Sequence, residues 1–108
     1  MAQKRVPKKV KKEIRDYVRI LRDDNLPIHS VILFGSYAKG TPHQWSDIDL
    51  CIVSPKFGNP ILAMQYLWKK RAKNSGLTVE PIGFSPKDFR DDSSLIHEIK
   101  KTGIKIRI

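Results

Sequence analysis

The stretch Phe34 to Val53, FGSYAKGTPHQWSDIDLCIV, decides how the rest of the chain is read. It closes one apolar run and opens another. The residues HSVILFGS before and into it form a short apolar run ended by Gly35, which predicts a buried strand from about Ser30 to Phe34. SDIDLCIVS predicts a second strand, with Ile48, Leu50 and Ile52 on one face and Asp47, Asp49, Cys51 and Val53 on the other. Only the start of that second face is charged, so the face is buried further in and open at its N-terminal end. Between the two runs lies a polar connector, SYAKGTPHQW, with Gly40 and Pro42.

If the two strands are antiparallel neighbours, the end of the first lies beside the start of the second. Asp47 and Asp49 are two apart in a strand, so both side chains point to one face. Carboxylates this close raise each other's pKa, and a cation between them relieves the repulsion. Hard divalent cations take oxygen ligands, and Mg²⁺ completes its shell with water and substrate phosphates. The aspartate pair therefore reads as one half of a metal–triphosphate site. Gly35-Ser36 reads as the other half. Gly35 lets backbone approach a ligand closely, Ser36 offers a hydroxyl, and a short helical turn after them would present free N–H groups to a phosphate. Lys39 is placed to neutralise phosphate charge.

Working outward, Val10, Ile14, Tyr17, Val18 and Leu21 repeat at three- and four-residue spacing and predict a helix from about Pro7 to Asp24, ended by DDNLP. Ile61, Met64, Leu67 and Trp68 predict a second helix whose stripe packs into the core, with Lys69, Lys70, Arg71 and Lys73 in its last turns and a stop at Asn74 to Gly76. LTVEPIGF reads as a third strand. SPKD has the form of a helix start with Ser85 as N-cap. A last helix beginning between Asp91 and Ser94 uses Leu95, Ile96 and Ile99 and stops at Gly103. IKIRI alternates and reads as a short final strand with Lys105 and Arg107 outward. The order α-β-β-α-β-α-β predicts an α/β (α+β) fold, a mixed sheet of about four strands flanked by helices.

At 108 residues the chain suits one domain. An apolar fraction of 40% supports a globular core. The single cysteine, Cys51, has no partner for an internal disulfide and is expected to be a small buried hydrophobe in a cytoplasmic protein. No apolar run approaches a membrane span. The net charge of +10 draws polyanions and acidic surfaces without choosing among them. Six of the first twelve residues are Lys or Arg, which reads as a solvated helix start or, less favoured, as a nucleic-acid patch.

The segment GSYAKGTPHQWSDIDL resembles the signature of the minimal nucleotidyltransferases, in the DNA polymerase beta nucleotidyltransferase superfamily. That signature is Gly-Ser, ten residues, then Asp-x-Asp, here Gly35-Ser36, Tyr37 to Ser46, and Asp47-Ile48-Asp49. Gly40 and Ser46 also fit its longer form. The resemblance implies a polymerase beta-like fold and transfer of a nucleoside monophosphate to a hydroxyl with two Mg²⁺ ions. It implies that Asp47 and Asp49 bind metal, and that Gly35, Ser36, Lys39 and Ser46 hold the triphosphate. The family carries a third carboxylate on a later strand, usually Asp. The matching candidate is Glu80, to which the resemblance gives the role of ligating metal and helping to deprotonate the acceptor; Asp91 and Asp92, in a predicted loop, are weaker alternatives. Proteins of this kind serve as antitoxins that attach AMP from ATP to a tyrosine of an all-helical HEPN-type toxin. Two other readings stand beside it: a binding module that neutralises a partner by occlusion, and a small basic nucleic-acid binder whose carboxylates hold only a structural ion.

Of the remaining residues, His43 is expected in an exposed loop, Trp45 against the sheet edge, and His97 facing solvent. Tyr37 is either a packing residue or a contact near the nucleotide.

Overall fold

The computed structural model describes residues 6–41, 47–71, 77–91 and 93–107. Its centre is a four-stranded sheet of β1 (Ser30–Phe34), β2 (Ile48–Val53), β3 (Val79–Phe84) and β4 (Ile104–Ile106), in the order β3-β2-β1-β4. β1 runs antiparallel to β2 and to β4, whereas β3 runs parallel to β2. The helices are α1 (Lys8–Asp23), the single turn α2 (Ser36–Lys39), α3 (Pro60–Lys69) and α4 (Ser94–Thr102), with a 3₁₀ turn at Asp88–Arg90. The expected mixed sheet flanked by helices is the architecture found.

The period of α1 is decisive for its placement. Val10, Ile14, Tyr17, Val18 and Leu21 are all buried, each side chain contributing about 1.5–3 kcal/mol relative to exposure. Pro7 stands one place before the first helical residue, at φ −56°. The helix closes as a Schellman motif: the Leu26 amide donates to the Leu21 carbonyl and the Asn25 amide to Arg22, with Asn25 at φ 64°. The Tyr17 hydroxyl donates to the Leu67 carbonyl at 2.6 Å and ties α1 to α3.

The alternation in β2 separates two cores. Ile48, Leu50 and Ile52 pack with Val31, Leu33 and the apolar face of α1. Cys51 and Val53 pack on the opposite face with Ile32 and with Ile99 of α4. Gly103 lets α4 pass directly into β4. A Cβ there would collide with the Ile99 carbonyl and lie 2.6 Å from Ile32 Cγ2.

Three helix expectations are corrected. In α3 only Leu67 of the expected stripe is core; its buried partner is Ala63, while Ile61, Met64 and Trp68 are 63%, 45% and 41% exposed. The small Ala63 permits close approach, and Gly83 of β3 leaves room for Leu67, since a Cβ there would lie 2.9 Å from Leu67 Cδ1. With the Tyr17 bond, these contacts rotate the 63/67 face inward. The helix also ends at Lys69, short of Lys73. Asn59 starts it, its Oδ1 accepting from the Ile61 amide at 2.9 Å and the Leu62 amide at 3.1 Å. In α4, Leu95 is exposed although Ile96 and Ile99 are buried. Ser85 accepts from the Asp88 amide at 3.0 Å, but the element there is a single 3₁₀ turn whose N-cap position is Lys87, so the expected Ser85-capped helix does not form. The α4 cap is Ser93. Among the described residues no helix is long and apolar enough to cross a membrane.

Candidate active site

Asp49 sits near the start of the central strand β2, between two neighbours. Its register partner on β1 is Phe34, the residue before Gly35, and its partner on β3 is Glu80. Three sequence segments far apart in the chain therefore meet on one row of the sheet. The alternation of β3 points Val79 into the α1-side core and Ile82 and Phe84 into the other, so Glu80 faces the same side as Asp49.

Gly35 has φ 75° and ψ −153°, a region open essentially only to glycine. The reason lies in contact as well as in backbone. A Cβ on Gly35 would overlap Asp49 Oδ2 and lie 3.0 Å from Asp49 Cγ. The Asp49 carboxylate thus occupies the space that any side chain at residue 35 would need. Beyond Gly35 the chain makes the single turn α2, whose first backbone bond runs from the Lys39 amide to the Gly35 carbonyl at 3.0 Å. Gly40, at φ 76° in the left-handed region, ends the turn. The first amides of such a turn have no acceptor within it. Ser36 is the first helical residue, and Tyr37 and Ala38 are buried, so Tyr37 is a packing residue.

The electrostatics of this row are acidic. Burial pushes the Asp49 carboxyl above the ordinary carboxylate range, and the Asp47 charge adds to the shift; a hydrogen bond with Glu80 opposes it. Glu80 is raised first by burial, then by hydrogen bonding to Asp47, by the Asp47 and Asp49 charges, and by hydrogen bonding to Asp49. When protonated, Glu80 is the donor to its two acidic neighbours. Among the described residues no Lys or Arg forms an ion pair with any of the three, in a chain carrying 21 such cations. Lys39 instead pairs with Glu98 of α4 at 3.1 Å. Two residues further along the Asp49 face, Cys51 is fully buried and its thiol is pushed up to about 12 by burial.

The donor set suits a divalent cation: hard oxygen ligands whose mutual repulsion a cation would relieve. Among the described residues no three acidic, His or Cys side chains are already drawn around one ion position; Asp47, Asp49 and Glu80 are neighbours, not a closed cage. Ser46, His43, Trp45 and Asp92 lie outside the described residues. Asp91 is exposed at the end of the 3₁₀ turn, and His97 is exposed.

Sequence reasoning missed what holds Glu80. The carbonyls on either side of it are both engaged by the last turn of α3 and the residue just beyond its C-cap. The Trp68 indole Nε1 donates to the Pro81 carbonyl at 3.1 Å, and Arg71 donates to the Val79 carbonyl at 3.3 Å. β3 is an edge strand, and these bonds cover part of its open side. No local signal announces such a pair, because the partners meet only through the packing of α3 on β3.

A family model described as the nucleotidyltransferase domain matches residues 9–106. Among solved structures, a candidate nucleotidyltransferase from Sulfolobus solfataricus superposes with a TM-score of 0.67 at 20% identity, covering 90% of this chain and 78% of that one. A toxin–antitoxin crystallised with AMP-PNP superposes at 0.60 with 24% identity, covering 88% and 70%. A mutant of the toxin–antitoxin MntA-HpeT superposes at 0.58 with 22% identity, covering 84% and 69%. At these identities the superpositions show a shared fold. No curated protein matches the chain.

Proposed function

The chain belongs to the nucleotidyltransferase domain family, and on that premise we propose that it transfers AMP from ATP to a hydroxyl, a tyrosine of a HEPN-type toxin, and so acts as an antitoxin. The observation that carries the transfer reading is the row Gly35–Asp49–Glu80, with Asp47 beside it. The antitoxin reading is supported by the likeness to two toxin–antitoxin structures, one holding AMP-PNP. A HEPN identity for the partner and a tyrosine as acceptor rest on the sequence signature.

Asp47, Asp49 and Glu80 would hold divalent ions, which when bound neutralise the triphosphate and polarise its α-phosphate. Gly35, Ser36 and Ser46, with the α2 amides, would cradle the phosphates. Lys39 would join them by leaving Glu98, an exposed pair that costs little to break. The acceptor oxygen forms a bond to the α-phosphorus, the bond from that phosphorus to the β-phosphate oxygen breaks, and pyrophosphate leaves. Glu80 takes the hydroxyl proton.

The test is transfer of label from α-labelled ATP with Mg²⁺ to the protein encoded beside it, compared with an Asp47→Asn/Asp49→Asn variant. Label on a tyrosine of that protein, absent with the variant, is expected. Tight binding without transfer would point to occlusion; nucleic-acid binding that survives the double substitution, with no nucleotide bound, would overturn the enzymatic reading.

A further inference from the structure

The strongest feature outside the acidic row is the outer face of α3. Five large apolar side chains among the described residues are markedly exposed, and four of them, Ile61, Leu62, Met64 and Trp68, lie on this ten-residue helix. Ile61, Met64 and Trp68 are spaced i, i+3, i+7, the interval at which one helix presents a seam to another. Scattered exposed apolar residues need no explanation, but a contiguous stripe marks an interaction surface.

Trp68 is held in place. Its indole donates to the Pro81 carbonyl at 3.1 Å, and the Arg71 guanidinium stacks 4.0 Å from its ring centroid. The residue is still 41% exposed. An aromatic that is both pinned and exposed loses little entropy when a partner covers it, the profile of an interface hot spot. At the other end of the helix, Leu62 also lines a cavity of about 460 Å³ with Leu26, Phe57, Ala63 and Tyr66, and Lys56 in its wall. The socket opens on the Leu62 and Tyr66 flank of the helix, beside the Ile61, Met64 and Trp68 stripe rather than in line with it.

Charge selects the occupant. Lys69 on α3 and Lys56 in the socket wall have no ion-pair partner among the described residues, while the one carboxylate of the socket, Asp24, is already matched by Lys70 at 3.4 Å. A second copy would bring its own +10 against this face, with cations closer than the Debye length of about 8 Å at physiological salt. We propose that the outer face of α3 is a docking surface for an amphipathic helix of an acidic partner protein, with Trp68 as its anchor. Because Trp68 also bonds the strand that carries Glu80, docking is tested at Ile61 and Met64, which lie outside the acidic row and whose loss leaves nucleotide binding there intact.

The probe is a pair of synthetic amphipathic helical peptides with the same apolar seam, one with Glu and one with Lys on its flanks. Titration into the full chain in a Trp45→Phe background makes Trp68 the only indole, since the sequence has two Trp. A blue shift of its emission with the Glu peptide, and none with the Lys peptide, is expected. Ile61→Glu with Met64→Glu should weaken binding by about tenfold or more while leaving ATP binding unchanged. If those glutamates disturb folding, Ile61→Ala with Met64→Ala serves in their place. Sedimentation of the chain alone should show a monomer. A dimer abolished by the α3 variants, equal binding of both peptides, or binding of neither would overturn the proposal.

Discussion

Replacing Gly35 by alanine tests the link between backbone and acidic row, and its two costs can be separated. The first is conformational. A non-glycine residue held at φ 75°, ψ −153° costs about 1–3 kcal/mol. The second is steric. The new Cβ falls on Asp49 Oδ2, and its 3.0 Å distance to Cγ leaves the carboxylate no way to stay. The Asp49 Cβ, at 3.2 Å, needs to give only a few tenths of an ångström. In an Asp49→Ala background the steric cost therefore nearly vanishes while the conformational one remains. Urea unfolding of the four proteins in the cycle should give a loss of about 2–4 kcal/mol for Gly35→Ala alone, and a coupling with Asp49→Ala of about 1 kcal/mol or more. Transfer should fall by about 100-fold or more, because displacement of a reacting group by an ångström has that effect. An identical stability cost in both backgrounds would refute the contact, and a Gly35→Ala protein with full activity would refute its role in placing Asp49.

Four further outcomes are expected. Asp49 and Glu80 are raised above 3.8 and 4.5 in the fold, so their contribution to stability is full below those values and is lost as pH rises through the raised ones; Glu80→Gln should therefore stabilise the ligand-free chain at pH 7, have little effect near pH 4, and abolish transfer, read by thermal melts and label transfer. Mg²⁺ with a nucleoside triphosphate should raise the melting temperature of the wild type and not of Asp47→Asn/Asp49→Asn, and a chelator should remove the shift. Leu67→Ala should cost about 2–5 kcal/mol and Ile61→Ala less than about 0.5 kcal/mol in chemical unfolding, the reverse of what hydropathy alone assigns to Ile61. Cys51 should resist a thiol reagent at pH 8 until the chain unfolds, as its thiol is buried and pushed up to about 12.

Much of the fold was legible because it rests on short-range rules. The period of α1 and the alternation that parts Ile48, Leu50 and Ile52 from Cys51 and Val53 are local, and both appear where the pattern puts them. That Gly35-Ser36 lies beside Asp47 and Asp49 was legible from two antiparallel strands joined by a connector, while the meaning of the ten-residue spacing came from resemblance to the nucleotidyltransferase signature. The α3 stripe was misread because two apolar faces overlap on that helix, and hydropathy does not choose between them. Ala63, Gly83 and the Tyr17 hydroxyl make that choice, and they come from other places in the chain or from a residue too small to register.

By itself, then, the sequence determined the elements, the order in which they succeed one another, and the acidic pair at the mouth of an apolar strand. Only the tertiary structure decided that Glu80 stands beside Asp49, that Lys39 rests on Glu98, and that Trp68 and Arg71 hold the strand carrying Glu80. Those facts depend on the parallel register of β3 on β2 and on the rotation of α3 about its axis. Both are set by contacts between residues distant in the chain, which spacing along it does not encode.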